Sequence, residues 1–129
     1  MSRENVETVR RGHERMLEAG IAGMLDTLDP EIEWRAAQDS RSHRGHAGVE
    51  RSVNSWFDVW EDYESEIEEL MDAGDDVLVV IKSRARGRGS GVTVEHRYYR
   101  VYTVRNGKIV RMLEYSKRSE ALQALGRSP

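Results

Sequence analysis

The chain has 129 residues, of which 33% are charged and 38% hydrophobic, and its formal net charge is −3. The absence of cysteine excludes disulfides, thiolate metal sites and cysteine nucleophiles. This length fits one domain, residues 1–129, with a core of its own. The slightly negative charge does not provide the basic field that nucleic acid requires, so we expect no nucleic-acid partner.

The polarity of the chain also bears on its location. Crossing a bilayer takes about 20 apolar residues, and no stretch approaches that length. The first 16 residues are polar and charged where a signal peptide would need an apolar segment. We therefore predict a soluble, cytoplasmic protein without a membrane partner. A local basic stretch, Arg84, Arg86 and Arg88, is more typical of a solvated turn than of a phosphate clamp.

The first predicted elements are two helices. Between residues 4 and 18 the apolar positions fall mainly at helical spacing, which predicts helix 1. His13 lies on the same stripe and is predicted to point inward, together with Val6, Val9, Met16 and Leu17. A short second helix over residues 21–28 should be closed by Asp29-Pro30, a pair that disfavours continuation of a helix.

A strand and a loop follow. Residues 31–36 alternate polar and apolar, which predicts a half-buried strand with Ile32, Trp34 and Ala36 on one face. Residues 37–47 are polar and lack periodicity, so we predict a loop there. This loop contains His43 and His46, but neither a nearby inward carboxylate nor a third histidine supports a metal site, and none is predicted.

The next segment predicts a third helix and an edge strand. From Gly48 the apolar residues again have helical spacing, so two tryptophans should point toward the interior. These apolar positions are Val49, Val53, Trp56, Phe57 and Trp60. Residues 63–72 alternate imperfectly, with acidic residues on the other side, and are predicted to form a solvated edge strand.

The run from Val77 to Tyr115 is the most informative part of the chain. It reads as three antiparallel strands, separated by a Gly-rich break and by Asn106-Gly107. A short helix is predicted after it, with Ser116 as N-cap, Gly126 at the stop and an apolar face of Ala121, Leu122 and Leu125. Helices early and a meander late indicate an α+β fold in which a curved sheet is covered on one face.

The stretch VYTVRNGKIVRMLEY followed by KRSEALQALG resembles the nuclear transport factor 2-like superfamily, and within it the SnoaL-like group. That group includes polyketide cyclases and relatives of ketosteroid isomerase. The resemblance implies a cone-shaped, mostly antiparallel sheet wrapped around three N-terminal helices, a short C-terminal helix and an apolar pocket at the open end. The superfamily contains several enzyme classes and non-catalytic binders, so function depends on the pocket residues.

The resemblance also implies where ketosteroid isomerase chemistry would be located. The carboxylate base corresponds to Ala36 or Ala37, the tyrosine of helix 1 to His13, and the aspartic acid of the fourth strand to Arg100. None of these positions has the residue that the mechanism needs. Steroid isomerisation by that mechanism is therefore not expected.

Alternation in the fourth strand places Arg100 on the presumed pocket face, where a buried guanidinium needs a partner. The candidate partner is Glu114. A two-residue Asn106-Gly107 turn would pair Tyr99 with Glu114 and turn the carboxylate away. A three-residue loop over 105–107, with Gly107 as a bulge, would place Glu114 on Arg100's face, and the resemblance favours this register.

Two functional hypotheses follow. In the leading one the chain is an enzyme without a cofactor that acts on a small, largely apolar molecule as an isomerase, cyclase or hydrolase. Arg100 would bind an oxygen of the substrate, and Glu114 or His13 would carry the proton. The predicted pocket wall consists of Trp34, Trp56, Trp60, Tyr98, Tyr102 and Met112. The alternative is a non-catalytic ligand-binding or dimeric interaction module in which Arg100 and Glu114 form a structural ion pair.

The outer face of the sheet suggests self-association. Four positions supply apolar character on that face, namely Tyr99, Val101, Ile109 and Leu113. We therefore predict a homodimer that forms through this surface, as the resemblance also implies.

Overall fold

Six strands form one open sheet in the computed structural model, which describes residues 2–126. The helices are α1 (Ser2–Ala19), α2 (Ile21–Met24), α3 (Gly45–Phe57) and α4 (Arg118–Gly126), and a 3-10 turn covers Leu25–Thr27. The strands are β1 (Leu28–Arg35), β2 (His43–Arg44), β3 (Trp60–Ala73), β4 (Asp76–Gly87), β5 (Thr93–Arg105) and β6 (Lys108–Tyr115).

The strand order is β2-β1-β6-β5-β4-β3, and β1–β6 is the one parallel pairing among the described strands. This confirms the predicted α+β class with a curved, mostly antiparallel sheet and a short C-terminal helix.

The main core lies between the inner face of the sheet and the N-terminal helices. Alternate residues of β4 and β5 enter it, because side chains in a strand point to opposite faces in turn. Its fully buried members include Val9, Met24, Ile32, Trp34, Val79, Ile81, Tyr102 and Met112. The predicted helix 1 is confirmed and His13 is 5% exposed, but Leu17 is 47% exposed and does not belong to the buried stripe.

The packing of α1 on the 3-10 turn is close. A Cβ at Gly12 would lie 2.9 Å from the Thr27 hydroxyl oxygen and 3.3 Å from the Met24 methyl carbon. Glycine therefore allows this approach in the middle of a helix, at a cost of about 1 kcal/mol in helix propensity.

The second helix is shorter than predicted. It ends at Met24, and β1 already begins at Leu28, so Asp29-Pro30 lies within the strand instead of closing the helix. The pairing of β1 with β6 is irregular between Leu28 and Glu33. Proline is tolerated there because its missing N–H falls in a stretch without regular ladder pairing.

The predicted loop over residues 37–47 contains more structure than expected. His43 and Arg44 form the short strand β2 against Trp34 and Glu33 of β1. Helix α3 then begins at Gly45, three residues before the predicted start. Because the segment is polar and lacks periodicity, the sequence did not predict either the strand or the start of the helix.

The assignment of Trp60 to the third helix was wrong. The helix stops at Phe57, and Trp60 begins β3, where it pairs with Gly87. Trp56 and Trp60 are both half-buried instead of buried. The predicted edge strand is confirmed, since β3 is the last strand of the sheet.

A bulge in β3 brings Trp60 and Tyr63 to the same face. Glu61 pairs with Arg86 and Glu64 with Arg84, which leaves one extra residue on β3. Asp62 has a positive φ of 52°, as the first residue of this kind of bulge often does. Side chains three residues apart in a regular strand would lie on opposite faces.

The hairpin between β5 and β6 has both a two-residue turn and Glu114 on the same face as Arg100, which the sequence analysis considered as alternatives. Its tip is a two-residue turn in which Asn106 and Gly107 have φ values of 52° and 75°. Val104 pairs with Ile109 but Thr103 pairs with Arg111, so Val110 is an extra residue on β6. The prediction of a three-residue loop with Gly107 as the bulge was therefore wrong about the turn.

The bulge at Val110 shifts the pairing by one residue and sets Arg100 opposite Glu114. The two-residue turn pairs Ile109 with Val104 and so places it in the main core, where it is 0% exposed, which corrects its predicted place on the outer face. The expected pairing of Arg100 with Glu114 is confirmed.

The outer face carries a second, smaller core under α4. Ala121 of α4 is fully buried against Leu78 and Val101, and Tyr99 packs against this cluster. Two of the four residues that suggested a dimer surface, Tyr99 and Val101, are thus covered by the chain's own helix. Leu113 is half-buried. The helix begins at Arg118, so Ser116 does not directly precede it as an N-cap would, and Leu122 is 41% exposed.

The basic stretch after the middle of the chain pairs with acids of β3. Arg86 lies 3.1 Å from a Glu61 oxygen and 2.8 Å from an Asp62 oxygen, and Arg88 lies 3.8 Å from Glu61. None of the helices described within residues 2–126 is long and apolar enough to cross a membrane.

Candidate ligand-binding site

A small cavity lies between the inner face of the sheet, the end of β1 and the C-terminal half of α3. Its volume is about 50 Å³. The lining residues are Met16, Trp34, Ala36, Gln38, Ser52, Val53, Trp56, Phe57, Tyr63, Ile81, Tyr98, Arg100 and Glu114. Arg100 and Glu114 are the two charged residues among them, and nearly all the others are apolar or aromatic.

Arg100 and Glu114 form an ion pair across β5 and β6. The Nε of Arg100 donates a hydrogen bond to Oε2 of Glu114 at 2.6 Å. The side chains are only 13% and 7% exposed. A charge-assisted bond of this length, removed from water, is stronger than the same pair at the surface.

The remaining contacts of Arg100 orient its guanidinium. Its Nη1 donates to the Tyr102 hydroxyl at 2.9 Å, and the group lies over the Trp34 ring at 5.5 Å. Its Nη2 makes no hydrogen bond to the described residues. This nitrogen is also not completely buried, so another molecule can reach it. Arg100 therefore keeps one donor nitrogen for a molecule in the cavity.

Burial and charge act in opposite directions on these groups. Burial alone would lower the pKa of Arg100, but Tyr102 and Glu114 outweigh it and hold that pKa above its ordinary value. Burial raises the pKa of Tyr102 against the opposing effect of Arg100. Burial, followed by Glu114, also raises the pKa of Tyr98. The site thus contains a permanent cation and neutral phenols.

Glu114 is held by a second donor. Its Oε1 accepts a hydrogen bond from the backbone N–H of Ala37 at 3.0 Å. The residue before it, Ala36, lines the cavity at the position that the resemblance assigned to a catalytic base. Glu114 is therefore the one carboxylate among the described residues that line the cavity, and both of its oxygens are engaged.

Aromatic rings in mutual contact line one side of the cavity. Trp56 contacts Phe57, Tyr63 and Trp60 with ring centroids 5.2, 5.0 and 5.8 Å apart, and Phe57 contacts Tyr63 at 5.2 Å. Three of these contacts are nearly perpendicular, the edge-to-face arrangement that aromatic pairs prefer.

The cavity brings together some of the residues predicted for the site but not all of them. Arg100, Glu114, Trp34, Trp56 and Tyr98 line it. The other four do not line it. The ring of Trp60 contacts that of Trp56, and Met112 is 0% exposed in the main core. The Tyr102 hydroxyl accepts a hydrogen bond from Arg100, and His13 faces Ser65 of β3.

His13 lies between α1 and β3. Its Nε2 is 3.4 Å from the Ser65 hydroxyl, and it borders a groove that also contains Leu17 and Ile67. Burial, and to a smaller extent the charge of Arg100, lower the pKa of His13 from 6.5 to about 4. At neutral pH this histidine is therefore uncharged.

Eight lining residues were not predicted for the site, namely Met16, Ala36, Gln38, Ser52, Val53, Phe57, Tyr63 and Ile81. Phe57 was recognised as an apolar position of helix 3, and Tyr63 as the first residue of the edge strand. The bulge at Asp62 has no strong sequence signal, because the residue is not glycine. Ser52 and Gln38 carry no periodic signal of their own.

The two loop histidines have local partners. His43 Nε2 lies 3.2 Å from Asp39, and His46 Nε2 lies 3.0 Å from the Leu28 carbonyl oxygen. Within residues 2–126, no group of three or more histidine, aspartate or glutamate side chains is arranged to hold a metal ion.

The SnoaL-like domain model matches residues 9–112, which is more than half of the chain. The chain belongs to the SnoaL-like family. The match spans α1 to the middle of β6 and so includes Arg100, although Glu114 lies just beyond it. None of the curated proteins matches this sequence significantly.

Solved structures show the same fold over nearly the whole chain. An NTF2-like protein from Burkholderia thailandensis is 25% identical with a TM-score of 0.79, over 97% of this chain and 98% of that one. A putative SnoaL-like polyketide cyclase from Jannaschia is 19% identical with a TM-score of 0.79, over 99% and 95%. TerC, co-crystallised with polyporic acid, is 22% identical with a TM-score of 0.78, over 97% and 99%.

Proposed function

We propose that this SnoaL-like protein binds a small, largely apolar molecule through one oxygen atom and acts on it by proton transfer, as an isomerase, cyclase or hydrolase. The observation that carries the proposal is the buried guanidinium of Arg100, which keeps a donor nitrogen free beside an aromatic cavity. A fixed donor in a buried site stabilises negative charge as it develops on a carbonyl oxygen.

The charge balance of the cavity favours an uncharged ligand. Arg100 and Glu114 neutralise each other, and the other lining side chains carry no charge at neutral pH. A carboxylate ligand would add an excess negative charge next to Glu114, whereas a ketone would accept a hydrogen bond from Arg100 without that penalty. The fold neighbour TerC, co-crystallised with polyporic acid, is a precedent for a small organic molecule on this fold.

Glu114 is the proposed proton acceptor. In enolisation its carboxylate would take a proton from the carbon next to the carbonyl, while the electron pair of that C–H bond moves toward the oxygen bound by Arg100. Both Glu114 oxygens already accept hydrogen bonds, from Arg100 and Ala37, so the proton would have to go to a remaining lone pair of one of them. His13 does not line the cavity, since its ring faces Ser65 of β3, and it is not proposed to touch the substrate.

A specific observation favours the second candidate, a non-catalytic ligand-binding module. Ala36 occupies the usual base position, and Glu114 is fully engaged with its two donors. In that case Arg100 would bind the ligand oxygen without turnover.

Ligand binding can be tested with two probes of similar ring size, the neutral ketone 2-acetylnaphthalene and the anion 2-naphthoate. We expect the ketone to bind more tightly, and Arg100→Met to weaken its binding about 10- to 100-fold, the range for a hydrogen bond to a charged group. Arg97→Met is the matched control, because Arg97 lies on the same strand but pairs with Glu68 in an exposed position. Equal affinity in wild type and Arg100→Met would refute the role of Arg100.

Catalysis can be tested without knowing the substrate. In D₂O, an enzyme that stabilises an enolate exchanges the methyl protons of 2-acetylnaphthalene for deuterium, which proton NMR measures directly. We expect exchange above the buffer rate in wild type and loss of it in Arg100→Met and Glu114→Gln. Binding that depends on Arg100 without any exchange would select the non-catalytic candidate.

We further propose that residues 1–129 fold as one cytoplasmic domain and associate as a homodimer. Self-association would use parts of the sheet that α4 leaves uncovered, such as the surface around Leu113. Sedimentation equilibrium of the purified chain tests this, and a mass of about 15 kDa at all concentrations would contradict it.

A further inference from the structure

Tyr63 is a half-buried residue that lines the cavity. Its ring lies 5.0 Å from that of Trp56 and 5.2 Å from that of Phe57, at angles of 81° and 82°. Trp56 and Phe57 contact each other at 5.2 Å in the same manner. These three half-buried rings, which we call the aromatic cap, contact one another in a triangle and line the same cavity as Arg100 and Glu114.

The cavity is too small for a drug-sized organic ligand as it stands. Its volume of about 50 Å³ has room for a few water molecules, whereas ligand pockets occupy about 300–1,000 Å³. The deep wall cannot yield, because Trp34 and Ile81 are 1% and 2% exposed within the main core. The space for a ligand therefore has to come from the solvent side of the cavity, where the aromatic cap contributes the largest side chains.

The backbone at the cap is irregular on both sides. Trp56 and Phe57 occupy the last turn of α3, directly before a two-residue turn at Asp58 and Val59. Tyr63 follows the Asp62 bulge of an edge strand, where the positive φ marks a locally strained conformation. Helix ends and edge-strand bulges open at a lower free energy than the centre of a sheet.

We propose that Tyr63 controls access to the Arg100 site: its ring holds the aromatic cap closed, and its displacement sets the rate at which a ligand enters. This inference rests on the proposed function, since it takes the cavity beside Arg100 as the binding site. It assigns to Tyr63 a role in association, whereas Arg100 determines how long the ligand stays.

Stopped-flow binding separates these roles. The probe is 6-propionyl-2-(dimethylamino)naphthalene, a neutral ketone whose emission changes when it leaves water. We expect Tyr63→Ala to raise its association rate constant about tenfold or more, and Tyr63→Phe, which keeps the ring contacts, to leave that constant within about twofold of wild type. An unchanged association rate in Tyr63→Ala would overturn the inference.

Failure of the proposed function gives a different result. If Arg100→Met dissociates from the probe as slowly as wild type, Arg100 does not hold the ligand, whatever the behaviour of Tyr63. Should Tyr63→Ala fail to fold, Tyr63→Leu carries the same expectation, because it keeps apolar bulk but loses the ring contacts.

A measurement without any ligand provides a second test. In a Trp56→Phe/Trp60→Phe background, Trp34 is the one remaining tryptophan, and it lines the cavity beneath the cap. We expect acrylamide to quench its fluorescence several-fold more efficiently when Tyr63→Ala is added, and no more efficiently with Tyr63→Phe. Equal quenching in both would show that Tyr63 does not control entry.

Discussion

Arg100 Nε lies 2.6 Å from Glu114 Oε2, and this contact joins the middle of β5 to the end of β6. The two residues share a face only because Val110 is an extra residue on β6. Without it the two-residue Asn106-Gly107 turn would set Tyr99 opposite Glu114. One bulge therefore decides whether the cavity contains an ion pair or a single uncompensated guanidinium.

The coupling between Arg100 and Glu114 should appear in a double-mutant cycle. Arg100→Met removes one partner of a buried pair and is expected to cost about 3–5 kcal/mol of unfolding free energy, because it leaves the Glu114 carboxylate uncompensated. Arg100→Met combined with Glu114→Leu should cost clearly less than the sum of the two single changes. Urea denaturation measures all four proteins, and additive costs within about 0.5 kcal/mol would contradict the coupling.

The turn before β6 gives a prediction about backbone conformation. Gly107 has a φ of 75°, so Gly107→Ala should destabilise the fold by about 1–2 kcal/mol. Asn106→Gly should be nearly neutral, since both residue types tolerate the left-handed conformation. Gly89→Ala is the control, because a Cβ there meets no atom within 4 Å and the backbone does not have a positive φ. An equal loss at residues 89 and 107 in urea denaturation would disprove the conformational explanation.

His13 predicts a dependence of stability on pH. Its pKa is 6.5 when unfolded and about 4 when folded, so the unfolded chain binds the proton more readily between these values. Stability should therefore fall as the pH drops from 6.5 to 4, by at most about 3 kcal/mol from this residue, and should not depend on His13 above pH 7.

His13→Gln is the variant that isolates this effect, because it keeps a polar side chain that does not titrate. Carboxylates also titrate in this range, so the relevant quantity is the difference between wild type and variant in unfolding free energy at each pH. The difference should change between pH 6.5 and 4 in favour of the variant. A constant difference across that window would show that His13 titrates alike in both states.

The contact between α4 and the outer face can be tested by a matched pair of substitutions. Ala121 is 0% exposed against Leu78 and Val101, so Ala121→Arg should force the helix away and cost about 2–4 kcal/mol. Gln123→Arg places the same side chain on the exposed face of the same helix and should cost less than about 0.5 kcal/mol. Thermal unfolding measures both, and similar melting temperatures would mean that α4 does not contribute to stability.

Local sequence patterns were sufficient for most elements and for half of the site. The three long strands, helices α1 and α3, the inward position of His13 and the pocket positions of Trp34, Tyr98 and Arg100 all follow from periodicities of 3.6 and 2 residues. These patterns can be recognised within one segment, because the residues of a buried face repeat at a fixed spacing along their own helix or strand, whatever that element packs against.

The remaining features depend on contacts between segments that are distant in the sequence. Trp60 was placed in α3 because its spacing suits a helix, but pairing with Gly87 makes it the first residue of β3. Ile109 was placed outside because a three-residue loop was predicted, whereas the two-residue turn pairs it with Val104. Tyr99 and Val101 looked like a free surface because the docking of α4 is not visible in their own alternation.

The residues alone predict the α+β order, the faces of the regular elements and the choice of Arg100 and Glu114 as partners, because a buried cation requires an anion within reach. The three-dimensional fold was needed to show that the two meet, that Tyr63 lines the cavity beside them and that His13 faces β3. Each of these outcomes depends on a one-residue shift in a strand or on a long-range contact, and a shift of one residue reverses the direction of a side chain without altering the pattern that predicts the strand.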